Sequence, residues 1–501
     1  QKSQDRLTKS IARLSSGYKI NSSSDDAAGY AISEKMRLQL RGLNQADNNA
    51  ADGVSVLHTA EGAMEEIQSM LARMKELSVQ AANGTNSVDE RSAIQSEIDS
   101  LNSEIDRISS NTEFNSQTLI SGNLSRRVYS NYEGVNQIEV SDNFVAGNYG
   151  ITITQDARQA IVVGNGAVTM SDTATVTKEQ AGTISMNGYG IEISEGDTLA
   201  GIMGKLVDGA DKIGGRVFAI TAGATNDTKV NGTDYAGYEP QTSYAGNNIV
   251  FMTKESGSSK TMNITCSNAE LANMLGIATA ATNSGMYAEG SDVQAEFTLD
   301  NDGKRVGFAD SAVISTSGTR VTVKDVNNRT FVTDVPSNVA GTQFSDTVKA
   351  DDKSTATSTQ TAKVTQEVTD VGTMSVHVGA NENQVILIDI PAVTSYTLGT
   401  ENLNVMTSVT ASEAIDTIDT AVAYANRVRS QMGAYENRFE HTTNNLGTAS
   451  ENLTSAISTM TDTDMAEEMT EYTSLNVMTQ AATSILAQAN ERPSTVLQIL
   501  Q

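Results

Sequence analysis

Apolar residues return along the first part of the chain at alternating intervals of three and four. Leu57, Ala60, Met64, Ile67, Leu71 and Met74 follow one another at spacings of 3, 4, 3, 4 and 3. These are the a and d positions of a heptad, the seam along which long helices pack. Asn83-Gly84 stops the helix, since both residues accept the left-handed conformation of a C-terminal cap. A second helix is predicted from about Val88, with Ile94, Ile98, Leu101, Ile105 and Ile108 spaced 4, 3, 4 and 3. Near the other end of the chain, Ile418, Ala425, Met432, Phe439, Leu446, Leu453 and Met460 fall at every seventh residue. Their partners three residues earlier are apolar at Ile415, Val422 and Ile457. They are polar at Arg429, Glu436, Thr443 and Ser450, so this second row reads as weak in its middle. A seven-residue period held this long predicts long, gently supercoiled helices. Pro493 predicts a break or a new helix start, followed by the apolar tail Val496, Leu497, Ile499 and Leu500, which needs a partner.

The stretch from about 160 to 385 changes period. "YGIEIS", "NNIVFMT", "TMNIT", "AVISTS" and "TRVTVKDV" carry β-branched residues between Gly, Asn and Asp turns and predict strands. "DTLAGIMGKLVD" and "NAELANMLG" predict short helices, the first with an Asp-Thr cap. "ADDKSTATSTQTAK" reads as a polar loop or link. The expected fold class is multidomain α plus β. Coiled-coil-like helices from both chain ends form a rod, and strand-rich outer domains are inserted between them. The two ends must meet, because each lacks the opposite half of its seam.

Composition narrows the function classes. The net charge of −27 argues against a nucleic-acid partner, which needs a basic face. No run of 18 apolar residues predicts a membrane span, and no secretory apolar region opens the sequence. Cys266 is single, so no intrachain disulfide frame forms, and it reads as a small buried hydrophobe. His58, His377 and His441 lie far apart and form no H-E-x-x-H zinc motif. "DNDGKRVGFAD" (Asp300–Asp310) lacks the spacing and final Glu of a calcium loop and reads as a turn. The acidic stretch Asp462–Met469 reads as a solvated or inter-subunit helix face. No catalytic constellation stands out, so no enzyme activity and no cofactor are expected.

Several long blocks together resemble bacterial flagellin. They are "RLSSGYKINSSSDDAAGYAISEKM" (Arg13–Met36), "NQADNNAADGVSVLHTAEGAM" (Asn44–Met64) and "NSEIDRISSNTEFN" (Asn102–Asn115). Towards the other end stand "GAYENRFEHTTNNL" (Gly433–Leu446), "DTDMAEEMTEYT" (Asp462–Thr473) and "QAATSILAQAN" (Gln480–Asn490). "GTISMNGYGIEISEGDTLAGIMGKLVD" (Gly182–Asp208) resembles a small strand–helix module that recurs in flagellins and related filament proteins. The resemblance implies a terminal helical domain from 1–38 and 456–501 and a helical core domain from 39–165 and 368–455. It also implies two outer strand-rich parts, 166–285 and 286–367. It implies export through the flagellar apparatus, with an export chaperone and the filament cap as partners, and polymerisation of the chain with itself into an extracellular motility filament. Membrane insertion is not implied. Surface Ser and Thr could accept O-linked glycans. A hook–filament junction protein and an adhesin built on flagellin ends are the alternatives.

Two departures from the family pattern are expected to matter. Flagellins usually carry further helix before the position of Gln1, which implies an N-terminally shortened terminal domain. Ser458-Thr459-Met460 stands where many relatives have Ser-Arg-Ile, which implies one missing basic contact.

"LARMKELSVQAANGTN" (Leu71–Asn86) contains a second pattern. With Leu71 at a, Arg73 is c, Leu77 is g and Gln80 is the next c. Met70, Arg73, Leu77 and Gln80 form a row beside the seam, expected to be at least partly exposed. Glu97 takes a g position on the following helix, which must run back along the first. The resemblance implies that this flank, Arg73, Leu77, Gln80 and Glu97, contacts neighbouring subunits in the filament. In the free monomer it implies contact with the animal Toll-like receptor that senses flagellin.

Overall fold

The computed structural model describes residues 2–141, 144–221, 244–277, 286–300, 302–326, 329–337, 361–369 and 371–499. Most of the "ADDKSTATSTQTAK" stretch, and Leu500 of the apolar tail, lie outside them. Eight helices occur among the described residues. They are α1 (Lys2–Ser16), α2 (Ala27–Ala82), α3 (Val88–Asn111), α4 (Leu199–Lys212), α5 (Ala269–Met274), α6 (Ser395–Leu398), α7 (Ser408–Thr461) and α8 (Met465–Ile499). The strands among the described residues lie between Glu113 and Ile388, with α4 and α5 among them.

The chain forms two compact units. One comprises Gln1–Leu57, Ser375–Leu387 and Ala434–Gln501, the other His58–Met374 and Ile388–Gly433. Helices α2 and α7 contribute to both.

In the larger unit, the predicted α2 seam is fully buried at Ala60, Met64, Ile67, Leu71 and Met74. It pairs with the first half of α7. Gln68 Nε2 donates to Asn426 Oδ1 at 3.1 Å, Arg429 reaches both Gln68 and Glu61, and Lys75 pairs with Asp419. Helix α3 begins where its sequence says it should. Ser87 accepts from Glu90 N while the Glu90 carboxylate accepts from Ser87 N, a reciprocal capping box. Its buried face is Ile94, Ile98 and Ile105, with Leu101 and Ile108 only half-buried and Asn102 and Ser109 buried in their place. Asn102 is tolerated there because its Nδ2 donates to Thr400 O at 2.7 Å.

One expectation about α7 needs correction. The row that accompanies Ile418, Ala425, Met432 and Phe439 is Ala414, Ala421, Val428 and Tyr435, four residues earlier rather than three. All four are buried, so the seam has no weak middle; Arg429 and Glu436 stand beside it. Two of the four are alanines, whose small size hides them from a search for large apolar residues while letting the helices approach closely. The C-terminal end of the seam is looser: Leu453, Ile457 and Met460 are only half-buried.

The strand region holds two main cores. In the first, Met286–Glu289, Thr261–Cys266, Gly182–Met186 and Tyr189–Ile193 make a four-stranded antiparallel sheet in that order. Helix α4 packs its buried Leu199, Ile202, Met203 and Leu206 into the same cluster as Ile184, Met186, Ile191 and Ile193. Gly209 permits this approach, because a Cβ there would fall 2.3 Å from Ile191 Cδ1. In the second core, Phe144, Tyr149, Phe308 and Phe331 form an aromatic cluster, with Tyr149 and Phe308 centroids 5.1 Å apart. The strands and short helices expected at Tyr189–Ile193, Asn247–Ser256, Thr261–Cys266, Val313–Ser317, Arg320–Lys324, α4 and α5 are all present. Cys266 is half-buried rather than buried, and its thiol donates to Asn268 O at 3.2 Å. Asp300 makes the expected turn by accepting from Asp302 N and Lys304 N.

In the smaller unit, Phe439 is fully buried against α2. A Cβ on Gly53 would meet the Phe439 ring at 2.9 Å, so residues nearly four hundred positions apart pack as one core. Helices α1 and α8 lie side by side. Gly17, at φ +75°, ends α1, and its carbonyl accepts from Thr463 N while Lys19 N donates to Thr461 O. Helix α8 runs through Pro493 to Ile499, so the break expected there does not occur. Proline removes one amide donor, and the flanking turns carry the helix past it.

Candidate functional site

Two surfaces stand out, one on each unit. The first is the face shared by α2 and α3. Arg73 Nε donates to Glu97 Oε1 at 2.9 Å, and Arg73 Nη1 donates to Glu76 Oε2 at 3.2 Å. The hydrogen bonds and charges of Glu97 and Glu76 hold the Arg73 guanidinium above its ordinary value. The expected return of α3 along α2 is what brings Glu97 to Arg73. Arg91 fixes the same hairpin from its tip, donating to Ala81 O and Asn83 O at 2.9 Å each. Gln80 is exposed further along the row.

Leu77 departs from expectation. It is 2% exposed, so it is a core residue and not a surface anchor. A heptad row with a and d inside suffices for one partner helix. Here α2 is gripped on two sides, by α7 through Lys75–Asp419 and by α3 through Arg73–Glu97. Two partners bury a wider stripe than a and d alone, and the g position goes inside with it. Val79 is the exposed apolar residue of this stretch of α2, but it stands six residues from Arg73, about 120° around the helix, and so lies off this face. Glu76 is a residue of this face that the row Met70, Arg73, Leu77 and Gln80 leaves out; its three-residue step from Arg73 is the signal for it.

The second surface is the skin of the terminal helices. Ile11 on α1, Ile32 and Leu38 on α2, and Met465, Met469, Val477, Met478, Ile485 and Leu486 on α8 are all exposed. Of α8, residues 465–492 bury only Glu468 and Leu475, seven positions apart. Arg6 pairs with Glu471 at 2.8 Å, and Arg13 lies 3.7 Å from Glu468. The acidic stretch is therefore divided. Asp464 caps α8 by accepting from Ala466 N and Glu467 N, Glu467 is exposed, and Glu468 is buried beside Arg13. The solvated or inter-subunit face expected of that stretch needs one correction, at Glu468, which is buried within the chain beside Arg13. At Thr459, where a basic residue was expected to be missing, Lys19 Nζ donates to the carbonyl at 2.9 Å.

No helix among the described residues is long and apolar enough to cross a membrane. No group of three metal-ligating side chains converges among them.

Comparison with known proteins agrees with this arrangement. The family model for the bacterial flagellin N-terminal helical region matches residues 1–125, and that for the C-terminal helical region matches residues 415–500. A flagellin of Clostridium tyrobutyricum is 32% identical over 97% of this chain and 94% of its own length. A flagellin of Salmonella typhimurium is 30% identical over 100% of this chain and 96% of its own. A solved structure of FliC from Burkholderia pseudomallei aligns with 77% of this chain and 99% of its own at 14% identity and a TM-score of 0.23. Matched helical regions at both ends, and curated relatives that run nearly the full length, place the chain in the bacterial flagellin family, the structural subunits of the flagellar filament.

Proposed function

We propose that the chain polymerises with itself into the extracellular filament of a motile bacterium, and that α1, the start of α2 and α8 form its assembly surface. One observation carries this reading. Helix α8 is 35 residues long, yet residues 465–492 bury only two side chains in the single chain. Helices are marginal in water without tertiary burial, and large exposed apolar patches mark association surfaces. Further copies of the chain supply the cover that α1 cannot. On this reading residues 1–38 and 456–501 build the terminal layer, 39–165 and 368–455 the helical core, and 166–285 and 286–367 the outward parts. The export apparatus, an export chaperone and the filament cap are its partners before and during assembly.

The α2–α3 face takes a second role in the free monomer, as the surface bound by the animal Toll-like receptor for flagellin. Arg73, Gln80 and Glu97 present its polar groups, and Leu77 holds the helix pair from beneath. Support comes from the Arg73–Glu97 pair on an exposed two-helix face, a fork that can re-partner with a carboxylate or carbonyl of a binder.

Electron microscopy under assembly conditions tests the main reading. The full chain forms long helical tubes, and a chain ending at Thr454 forms none while its strand cores still melt cooperatively. Tubes from the shortened chain would overturn the assigned assembly surface.

A further inference from the structure

The sequence contains four Asn-Gly pairs, at Asn83, Asn165, Asn187 and Asn231, the last outside the described residues. Asn-Gly is the dipeptide in which the main-chain nitrogen of the second residue most easily reaches the side-chain carbonyl carbon of the first, because glycine has no Cβ in the way. The fold treats the described pairs differently.

Asn187 sits in a hairpin turn at φ +46° with its carboxamide held at both ends. Its Nδ2 donates to Thr261 O at 2.8 Å, and its Oδ1 accepts from Asn263 N at 2.7 Å. Its own main-chain nitrogen also donates to Asn263 O at 2.8 Å. Turning this carboxamide toward Gly188 breaks both side-chain bonds. At Asn165 the attacking group is engaged, since Gly166 N donates to Gly276 O. There the two backbones are pressed together, because a Cβ on Gly276 would lie 2.0 Å from Gly166 O.

Asn83 has neither restraint. It is exposed in the turn between α2 and α3, and nothing lies within 4 Å of the place a Gly84 Cβ would occupy. Its Oδ1 accepts one long bond, from Thr85 N at 3.2 Å.

We propose that Asn83 is the site of spontaneous deamidation favoured by this fold, and that the carboxamide clamp at Asn187 and the engaged Gly166 amide protect the other two. Gly84 N attacks Asn83 Cγ, and the bond from Cγ to the carboxamide nitrogen breaks. Ammonia leaves, taking up the proton that Gly84 N loses. The resulting five-membered imide is opened by water at either carbonyl, giving aspartate or isoaspartate. The isoaspartate product adds a methylene to the main chain where Asn83 N donates to Gln80 O, Asn86 N to Asn83 O, and Arg91 Nη2 to Asn83 O. The turn that closes the α2–α3 hairpin beside Gln80 is thereby loosened as the protein ages.

The test is peptide mapping by mass spectrometry of the folded full-length monomer held in mildly alkaline buffer, beside a sample held in denaturant. In the folded protein the peptide carrying Asn83 acquires the mass change of NH exchanged for O well before those carrying Asn165 and Asn187. In denaturant the three rates draw together, because the local dipeptide is the same. Gly84→Ala slows the reaction at Asn83 alone. Equal rates in the folded protein, earlier conversion at Asn165 or Asn187, or a rate gap that survives denaturant would each overturn the assignment.

Discussion

Helices α2 and α8 are both long, both rich in aliphatic residues, and treated in opposite ways by the monomer. Between Leu57 and Ala81, α2 hides its whole seam, and Leu77 besides. Between Met465 and Arg492, α8 hides Glu468 and Leu475. The difference lies in how apolar residues are arranged and how many neighbours receive them. On α2 they keep to one broad stripe, which α3 and α7 cover from two sides. On α8, Met469, Leu475, Val477, Met478, Ile485 and Leu486 point around the helix, and α1 packs along one side of it. A helix apolar on several sides needs cover on several sides. Such a helix in an isolated chain is a half-built interface, whereas the α2 stripe is a finished core.

The sharpest test of that contrast is a pair of substitutions in the two settings. Phe439→Ala, which empties the space over Gly53, should cost about 3–5 kcal/mol in monomer stability. Calorimetry showing no change would break the pairing of α2 with α7 in that core. Ile485→Ser with Leu486→Ser should leave the monomer's melting unchanged and slow filament growth in light scattering. A large loss of monomer stability from that pair would mean α8 already has cover.

Leu77 sharpens the comparison on α2 itself. Leu77→Ala should cost about 2–5 kcal/mol, as for a buried leucine. Arg73→Ala, on the exposed side of the same helix, should leave melting unchanged. In a binding assay with the receptor ectodomain, Arg73→Ala should weaken the monomer's affinity about tenfold, the scale of a contributing interface residue. Full affinity in Arg73→Ala, measured beside an unaltered melt, would remove this face from the receptor reading. Leu77→Ala cannot serve as that test, because losing a core side chain disturbs the helix pair whatever binds it.

The smallest expected effect comes from Glu413 on α7. Burial raises its carboxyl above the usual glutamate range; Lys260, 3.9 Å away, opposes this and Glu255 adds to it. The folded state then holds the proton more tightly than the unfolded chain. Stability is fully present below the unfolded glutamate value and is lost as pH rises through the folded one. Glu413→Gln should flatten the decline of the melting temperature across that window and change little below it. An identical decline in the variant would assign the pH dependence elsewhere.

Long-range periodicity makes much of this molecule legible in its residues. The α2 seam, the start of α3 at Ser87-Val88, the helix over Leu199–Lys212 and the strands of the middle region each rest on interactions between near neighbours, and each was readable. The opposing row on α7 was misread, because Ala414 and Ala421 look unimportant until a partner helix lies against them. At the candidate site, Arg73 and Glu97 could be brought together on paper by the reversal at Asn83-Gly84. The depth of Leu77 could not, since it depends on how many helices surround α2.

Caps, turns and heptads act over a few residues, so the long helices, the stop at Asn83-Gly84, the start near Val88, the strands of the middle region and the family resemblance of both ends could be read from the residues alone. The tertiary structure decided which side chains are covered. Burial is a property of the space between elements: Gly53 admits Phe439, a third helix takes Leu77 inside, a strand clamps Asn187, and α8 buries only Glu468 and Leu475 between 465 and 492.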